Sequence, residues 1–240
     1  KPAFRGGVGY KTADEGPDIR IIYSHIENSE TSAVSKTPNG GIYVTWWPDS
    51  GLATADSASA RRELYIRTAD LEVGYEIETS RNLGARLFAG PRYVYLTESL
   101  MATYFGGNYP SAGVPVQSAS RFSGLGIRGG GEGRLHIFKG LSIGAGLAAS
   151  FVSGTQSSDE LVSGNPSIPI VVSERRRLVT PLWETFARAS IERGVSEAMD
   201  VNLSLGYRLE NWTDLGNHLS FHERKSSHNK NSKALGLEGL

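Results

Sequence analysis

The chain has 240 residues, with 25 Lys+Arg against 25 Asp+Glu, a formal net charge of zero, and no Cys. The even balance lacks the basic excess of a nucleic-acid-binding surface, so no nucleic-acid partner is expected, and disulfides are excluded. The apolar runs fall far short of the roughly 18 residues of a membrane helix, so a helical membrane protein is excluded.

Period-two alternation runs along most of the chain, as in half-buried strands. Phe4, Val8 and Tyr10 alternate with Arg5 and Lys11. After a turn at 14–17, Ile19, Ile21 and Tyr23 stand against Asp18 and Arg20. From Tyr65 the apolar set is Tyr65, Ala69, Leu71, Val73, Tyr75 and Ile77, opposite Asp70, Glu72 and Glu76. A turn at 79–82 leads to Leu83, Ala85, Leu87, Ala89, Tyr93 and Tyr95 against Arg86 and Arg92. If paired positions across that turn sum to 162, Glu76 faces Arg86 and Asp70 faces Arg92, which predicts two cross-strand ion pairs. Leu125, Ile127, Leu135 and Ile137 alternate with Arg128, Glu132 and Arg134. After 138–140 come Ile143, Ala145, Leu147, Ala149 and Phe151, facing away from small polar residues. Val179, Trp183, Ala187 and Ile191 then oppose Glu184 and Arg188. Past 194–197, Val201, Leu203, Leu205 and Tyr207 oppose Asp200 and Arg208, and a last strand begins near Ala234.

The connections alternate in length. Short turns are expected near 13–17, 79–82, 138–140 and 194–197, and long polar loops near 28–60, 100–118, 153–175 and 211–233. That asymmetry is the layout of an outer-membrane barrel, with short periplasmic turns and long extracellular loops.

The stretch Gly124-Leu-Gly-Ile-Arg-Gly-Gly-Gly-Glu-Gly133 contains G-x-G-x-x-G. A dinucleotide turn needs a buried strand before it and a helix after it. Here polar residues precede it and period two follows, so no cofactor is expected. The glycines are better read as room inside a barrel, with Gly124, Gly126, Gly130, Gly144 and Gly146 on the polar face. Gly129, Gly131 and Gly133 lie on the other face, where they ease bending.

In a membrane barrel the apolar set meets lipid and the charged set lines the lumen. The expected lumen-lining residues are Arg20, Asp70, Glu72, Glu76, Arg86, Arg92, Arg128, Glu132, Arg134, Glu184, Arg188 and Arg208. The expected lipid-facing residues are Leu71, Val73, Tyr75, Leu87, Tyr93, Leu125, Ile127, Ile143, Leu147, Trp183, Val201, Leu203 and Leu205. Tyr and Trp near strand ends fit interfacial girdles.

Ala69-Asp-Leu-Glu-Val-Gly-Tyr75, Arg86-Leu-Phe-Ala-Gly-Pro-Arg-Tyr93, Phe122-Ser-Gly-Leu-Gly-Ile-Arg-Gly129 and Leu205-Gly-Tyr-Arg-Leu-Glu-Asn-Trp212 carry a further signal. On these segments the chain resembles the Legionella-type major outer membrane protein family of pore-forming barrels. The resemblance implies a single antiparallel up-and-down transmembrane barrel in the bacterial outer membrane, with no catalytic motif. Nine strands are counted, the last incomplete, and a closed barrel of about ten strands is expected, with one strand missing at the N-terminus.

Competing sites are weak. His218 and His222 lie in a polar loop rather than on a helix, so no metal is expected. No G-x-S-x-G elbow appears, so an enzyme is not expected. Arg175-Arg-Arg177 suits anion steering at a pore mouth or lipopolysaccharide phosphates. The expected function is porin-like diffusion of small hydrophilic solutes, with weak ion selectivity from mixed charge and outer-membrane lipid and lipopolysaccharide as partners. The alternative is a non-conducting structural barrel, its lumen plugged by ion pairs and its long loops binding a partner or matrix.

Overall fold

A computed structural model describes residues 3–11, 16–37, 42–43, 54–80, 82–107, 109, 111–138, 140–162, 170–196, 199–213 and 234–237. Of these, 43, 78–79, 162, 170–172, 192–196, 199–203 and 234–237 are described by backbone alone. The elements are β1 (Phe4–Lys11), β2 (Pro17–Ser35), β3 (Ile42–Tyr43), β4 (Thr54–Ala55), β5 (Ser57–Ser80), β6 (Leu83–Phe105), β7 (Val114–Phe138), β8 (Leu141–Val162), β9 (Ile170–Ser196), β10 (Met199–Trp212) and β11 (Ala234–Leu237).

Nine strands form one antiparallel sheet in the order β1-β2-β5-β6-β7-β8-β9-β10-β11, and β3 pairs β4 in a separate small hairpin. Every strand pairs its sequence neighbour within that sheet, which is the order of an up-and-down β-barrel. Among the described residues, β1 and β11 each pair on one side only.

The predicted register holds. Glu76 pairs Arg86 and Asp70 pairs Arg92 in the β5–β6 ladder. From β2 onward, even positions turn to the buried face and odd positions to the exposed face, as in the β6 burial pattern. The exposed face carries the large apolar side chains: Leu71, Leu87, Leu125, Ile127, Leu147 and Leu205 are all exposed, while Arg92 and Glu184 are buried. A water-soluble sheet would reverse that arrangement.

The long loops need correction. Among the described residues, three of the four predicted loop regions are largely strand: β2 continues to Ser35, β6 to Phe105 and β8 to Val162, while β5, β7 and β9 begin at Ser57, Val114 and Ile170. Strands of 19 to 27 residues exceed the roughly 9–11 that cross a bilayer. The upper parts of β2, β8 and β9 are largely polar on both faces, while that of β6 packs Ala102 and Tyr104 against Val116 of β7, so the ladder continues past the regular apolar alternation. The fourth predicted loop lies mostly outside the described residues, as do His218 and His222.

At the far end of β5 and β6 the ladder is fastened by Asp56. Its amide donates to the Phe105 carbonyl at 2.8 Å, its carboxylate accepts from the Gly107 amide at 3.0 Å, and Lys36 forms an ion pair with it. The Lys36 hydrogen bond first, then the Gly107 amide, holds the Asp56 carboxyl below its usual range. Gly106 and Gly107 take φ of 70° and 66°, a left-handed pair that side-chain-bearing residues avoid.

Candidate functional site

The barrel interior collects nearly all the charge that the strands withhold from the exposed face. At its short-turn end, Glu76 accepts from Lys11 Nζ at 3.1 Å and Arg134 Nη1 at 3.2 Å. Glu132 accepts from Arg188 Nη2 at 2.5 and 2.7 Å. One layer further in, Arg86 donates to both Asp18 oxygens at 3.0 and 3.1 Å and to Glu72 at 3.0 Å. Arg128 also pairs with Glu72.

Arg92 lies at the centre and is fully buried. Its Nε and Nη2 grip Asp70 in a fork at 2.6 and 2.8 Å, and its Nη1 reaches Ser150 Oγ at 3.1 Å and also pairs with Glu184. Glu184 sits on β9, three strands round from β6, so this contact spans the interior instead of following the wall. Arg128 holds the same Glu184 at 2.9 and 3.1 Å, and Arg208 stands 3.8 Å away while pairing with Glu210 at 3.0 Å. Phe88 lies beneath the cluster, with the Arg128 and Arg86 guanidinium carbons 4.7 and 5.2 Å from its ring centre. Such cation–π contacts keep guanidinium groups favourable away from water.

Small residues make the room. A Cβ on Gly74 would lie 2.2 Å from Asp18 Oδ1 and 2.4 Å from Arg86 Nη2, so the bare wall there is what admits the Arg86–Asp18 pair. Gly126 meets backbone: a Cβ would fall 2.0 Å from the Phe151 carbonyl oxygen, a close approach between neighbouring strands. Gly124 and Gly126 of the nucleotide-like spacing therefore serve packing, whereas a Cβ at Gly129 would meet nothing nearer than 3.7 Å.

Above the charges lies an apolar layer of Ile26, Ile66, Val94, Leu96, Phe122, Val152, Leu182 and Trp212. Val94, Phe122, Val152 and Leu182 have no exposed surface. Beyond it the interior turns polar again: Arg176 donates to Gln156 Oε1 at 2.7 and 3.0 Å, and Gln156 donates to Ser120 Oγ at 2.9 Å. Higher still, buried Glu160 has no hydrogen-bond partner on either oxygen among the described residues, and burial pushes its carboxyl up.

All twelve charged residues singled out from the sequence fall on this inner face, in two sets of Arg–carboxylate contacts: Glu76, Arg134, Glu132 and Arg188 at the short-turn end, and the other eight joined through Arg86, Arg92 and Arg128, with Asp18 linking Arg20. One expected pair re-partners. Asp70 and Arg92 form the predicted ion pair, whereas Arg86 turns to Asp18 and Glu72, and Glu76 turns to Lys11 and Arg134. Eleven of the thirteen expected lipid-facing side chains are exposed; those of Val201 and Leu203 lie outside the described residues.

Sequence reasoning did not assign Arg5, Lys11, Asp18 or Glu210 to the interior set, nor any of the apolar layer. A signal for that layer existed. Tyr93-Val-Tyr-Leu96, Phe151-Val152 and Leu182-Trp183 are uninterrupted apolar runs, the mark of a strand covered on both faces.

Each guanidinium of the central cluster already has a second carboxylate in reach: Arg92 touches Asp70 and Glu184, Arg128 touches Glu72 and Glu184, and Arg86 touches Asp18 and Glu72. Arg86, Arg92 and Arg128 are thus each shared between two carboxylates, while Asp70 depends on Arg92, its next guanidinium standing 4.0 Å away; leaving such a buried charge isolated would cost several kcal/mol.

A family model described as Legionella pneumophila major outer membrane protein precursor matches residues 1–240. No curated protein and no solved structure matches the chain.

Proposed function

We propose a porin-like function from one premise: the chain belongs to the Legionella pneumophila major outer membrane protein family, and is an integral β-barrel of the bacterial outer membrane. Small hydrophilic solutes diffuse passively along the charged interior, which the Arg92–Glu184 pair crosses. The observation that carries this reading is the set of Arg–carboxylate contacts across the interior, in which Arg86, Arg92 and Arg128 each reach two carboxylates. A barrel needing only a wall gains nothing from burying so many charges, since an apolar filling of similar volume is often as stable or more so. Guanidinium groups shared between two carboxylates give a path that opens briefly and closes again. The apolar layer above is a second restriction, of the kind that gates by excluding water.

A barrel of nine or ten strands is narrow beside the 16–18 strands of water-filled porins, so small conductance steps are expected. The protein acts in this reading without catalysis or a cofactor. The full burial of Arg92, Phe122, Val152 and Leu182 supports a second reading, a non-conducting barrel that holds surface segments for a partner or matrix. Planar-bilayer recording of the refolded, heat-modifiable protein separates them. Discrete current steps are expected, and a folded barrel that stays silent at both polarities leaves only the second reading standing.

A further inference from the structure

The run Arg175-Arg-Arg177 is split by the strand that contains it. Arg176 turns inward to Gln156, while Arg175 and Arg177 are exposed on the outer face of β9. Arg175 pairs Ser157 of β8, which pairs Arg121 of β7; Arg177 pairs Thr155, then Ser123, Tyr95 and Arg67 in the next row. Arg121 and Arg67 are exposed as well. Four outward arginines thus occupy two adjacent rows of the sheet.

The row directly beneath reads Val179, Ser153, Leu125, Tyr93, Ala69 and Tyr23, and the exposed apolar band continues below it with Phe151 and Ile127. The arginines therefore stand where the apolar band stops, on the side away from the short turns, which is the outer surface of the membrane. Arg121 and Arg175 are two strand spacings apart, about 10 Å, and Arg175 and Arg177 about 7 Å along one strand. Only Ser157, Thr155 and Ser123 lie between them, so the long side chains can converge over a hydroxyl-lined floor. Asp159, one pair higher on the outer face, accepts from Ser173 Oγ at 2.7 Å, and among the described residues no carboxylate forms an ion pair with Arg121, Arg175 or Arg177.

We infer that Arg121, Arg175 and Arg177, with Arg67 at the flank, clamp the phosphate groups of an outer-leaflet glycolipid of the lipopolysaccharide type. The acyl chains of that lipid would lie over Val179, Leu125, Ile127 and Phe151. Planar guanidinium forks suit phosphate oxygens, and the small floor leaves room for a bulky sugar phosphate. The inference needs only the membrane barrel and holds whether or not the interior conducts.

The test uses the refolded full chain in zwitterionic micelles, with purified lipopolysaccharide as probe. The R121Q/R175Q/R177Q variant, checked for heat-modifiable migration, is expected to bind it roughly a hundredfold more weakly, about fivefold per arginine. The parent protein is expected to lose a similar factor for enzymatically dephosphorylated lipopolysaccharide, an arm that needs no variant. Binding by the folded variant within threefold of the parent overturns the clamp. So does equal affinity of the parent for the dephosphorylated lipid, or displacement of the lipid by millimolar inorganic phosphate, which would mark a site for a free anion.

Discussion

Replacing Arg92 with Ala removes four hydrogen bonds: two to Asp70, one to Ser150 and one to Glu184. Glu184 keeps two bonds from Arg128, but Asp70 loses both hydrogen bonds of its guanidinium partner, and the nearest other guanidinium, Arg128 Nε, is 4.0 Å away. A carboxylate stranded in a buried site costs about 3–5 kcal/mol when its partner is deleted. The gross sum of four charge-assisted bonds would be larger, but the guanidinium also regains its desolvation cost when removed, so the lower range applies. Urea unfolding in lipid vesicles, followed by tryptophan fluorescence and by the migration shift on unheated gels, should show that loss. The R92M/D70L double variant should recover most of it, because the stranded charge leaves with its partner. In planar bilayers the Ala variant should give larger current steps than the parent, since the crossing to β9 is gone. A loss below about 1 kcal/mol would mean that water already solvates Asp70, and the claim that this cluster closes the interior would fall with it.

Two further outcomes follow from neighbouring sites. Glu160 lies beyond Phe151, the last exposed large apolar residue on the outer face of β8, and its folded-state carboxyl titrates above the ordinary range because of burial. The fold therefore disfavours its charged form: the penalty is present above the folded-state pKa and vanishes as pH falls below the ordinary value near 4.3. Glu160→Gln should raise urea resistance by about 1 kcal/mol at pH 8 and by nearly nothing at pH 4, and an equal gain at both would show that desolvation is not the cause. Gly74→Ala should cost about 1–3 kcal/mol by crowding Asp18 and Arg86. Gly84→Ala, where the nearest atom to a new Cβ is 4.0 Å away, should stay within about 0.5 kcal/mol; matching losses at the two sites, read from the same unfolding midpoints, would show that the ion pair is not what Gly74 protects.

The sequence alone carried the fold class, the hairpin register and the sidedness of the sheet, because each depends on a two-residue period and on turn spacing, both local. Leu71 against Asp70 and Leu87 against Arg86 sort to opposite faces on pleating alone. Two matters were decided only by the tertiary structure. Strand ends such as Ser29–Ser32 and Ser153–Glu160 are polar on both sides, so nothing in their pattern separates strand from loop; the ladder with the neighbouring strand does that. Ion-pair partners are set by curvature. Arg86 has Glu76 beside it in the ladder yet reaches Asp18, and Arg92 reaches Glu184 across three strands, because a curled sheet brings together inward side chains far apart in sequence and in strand order.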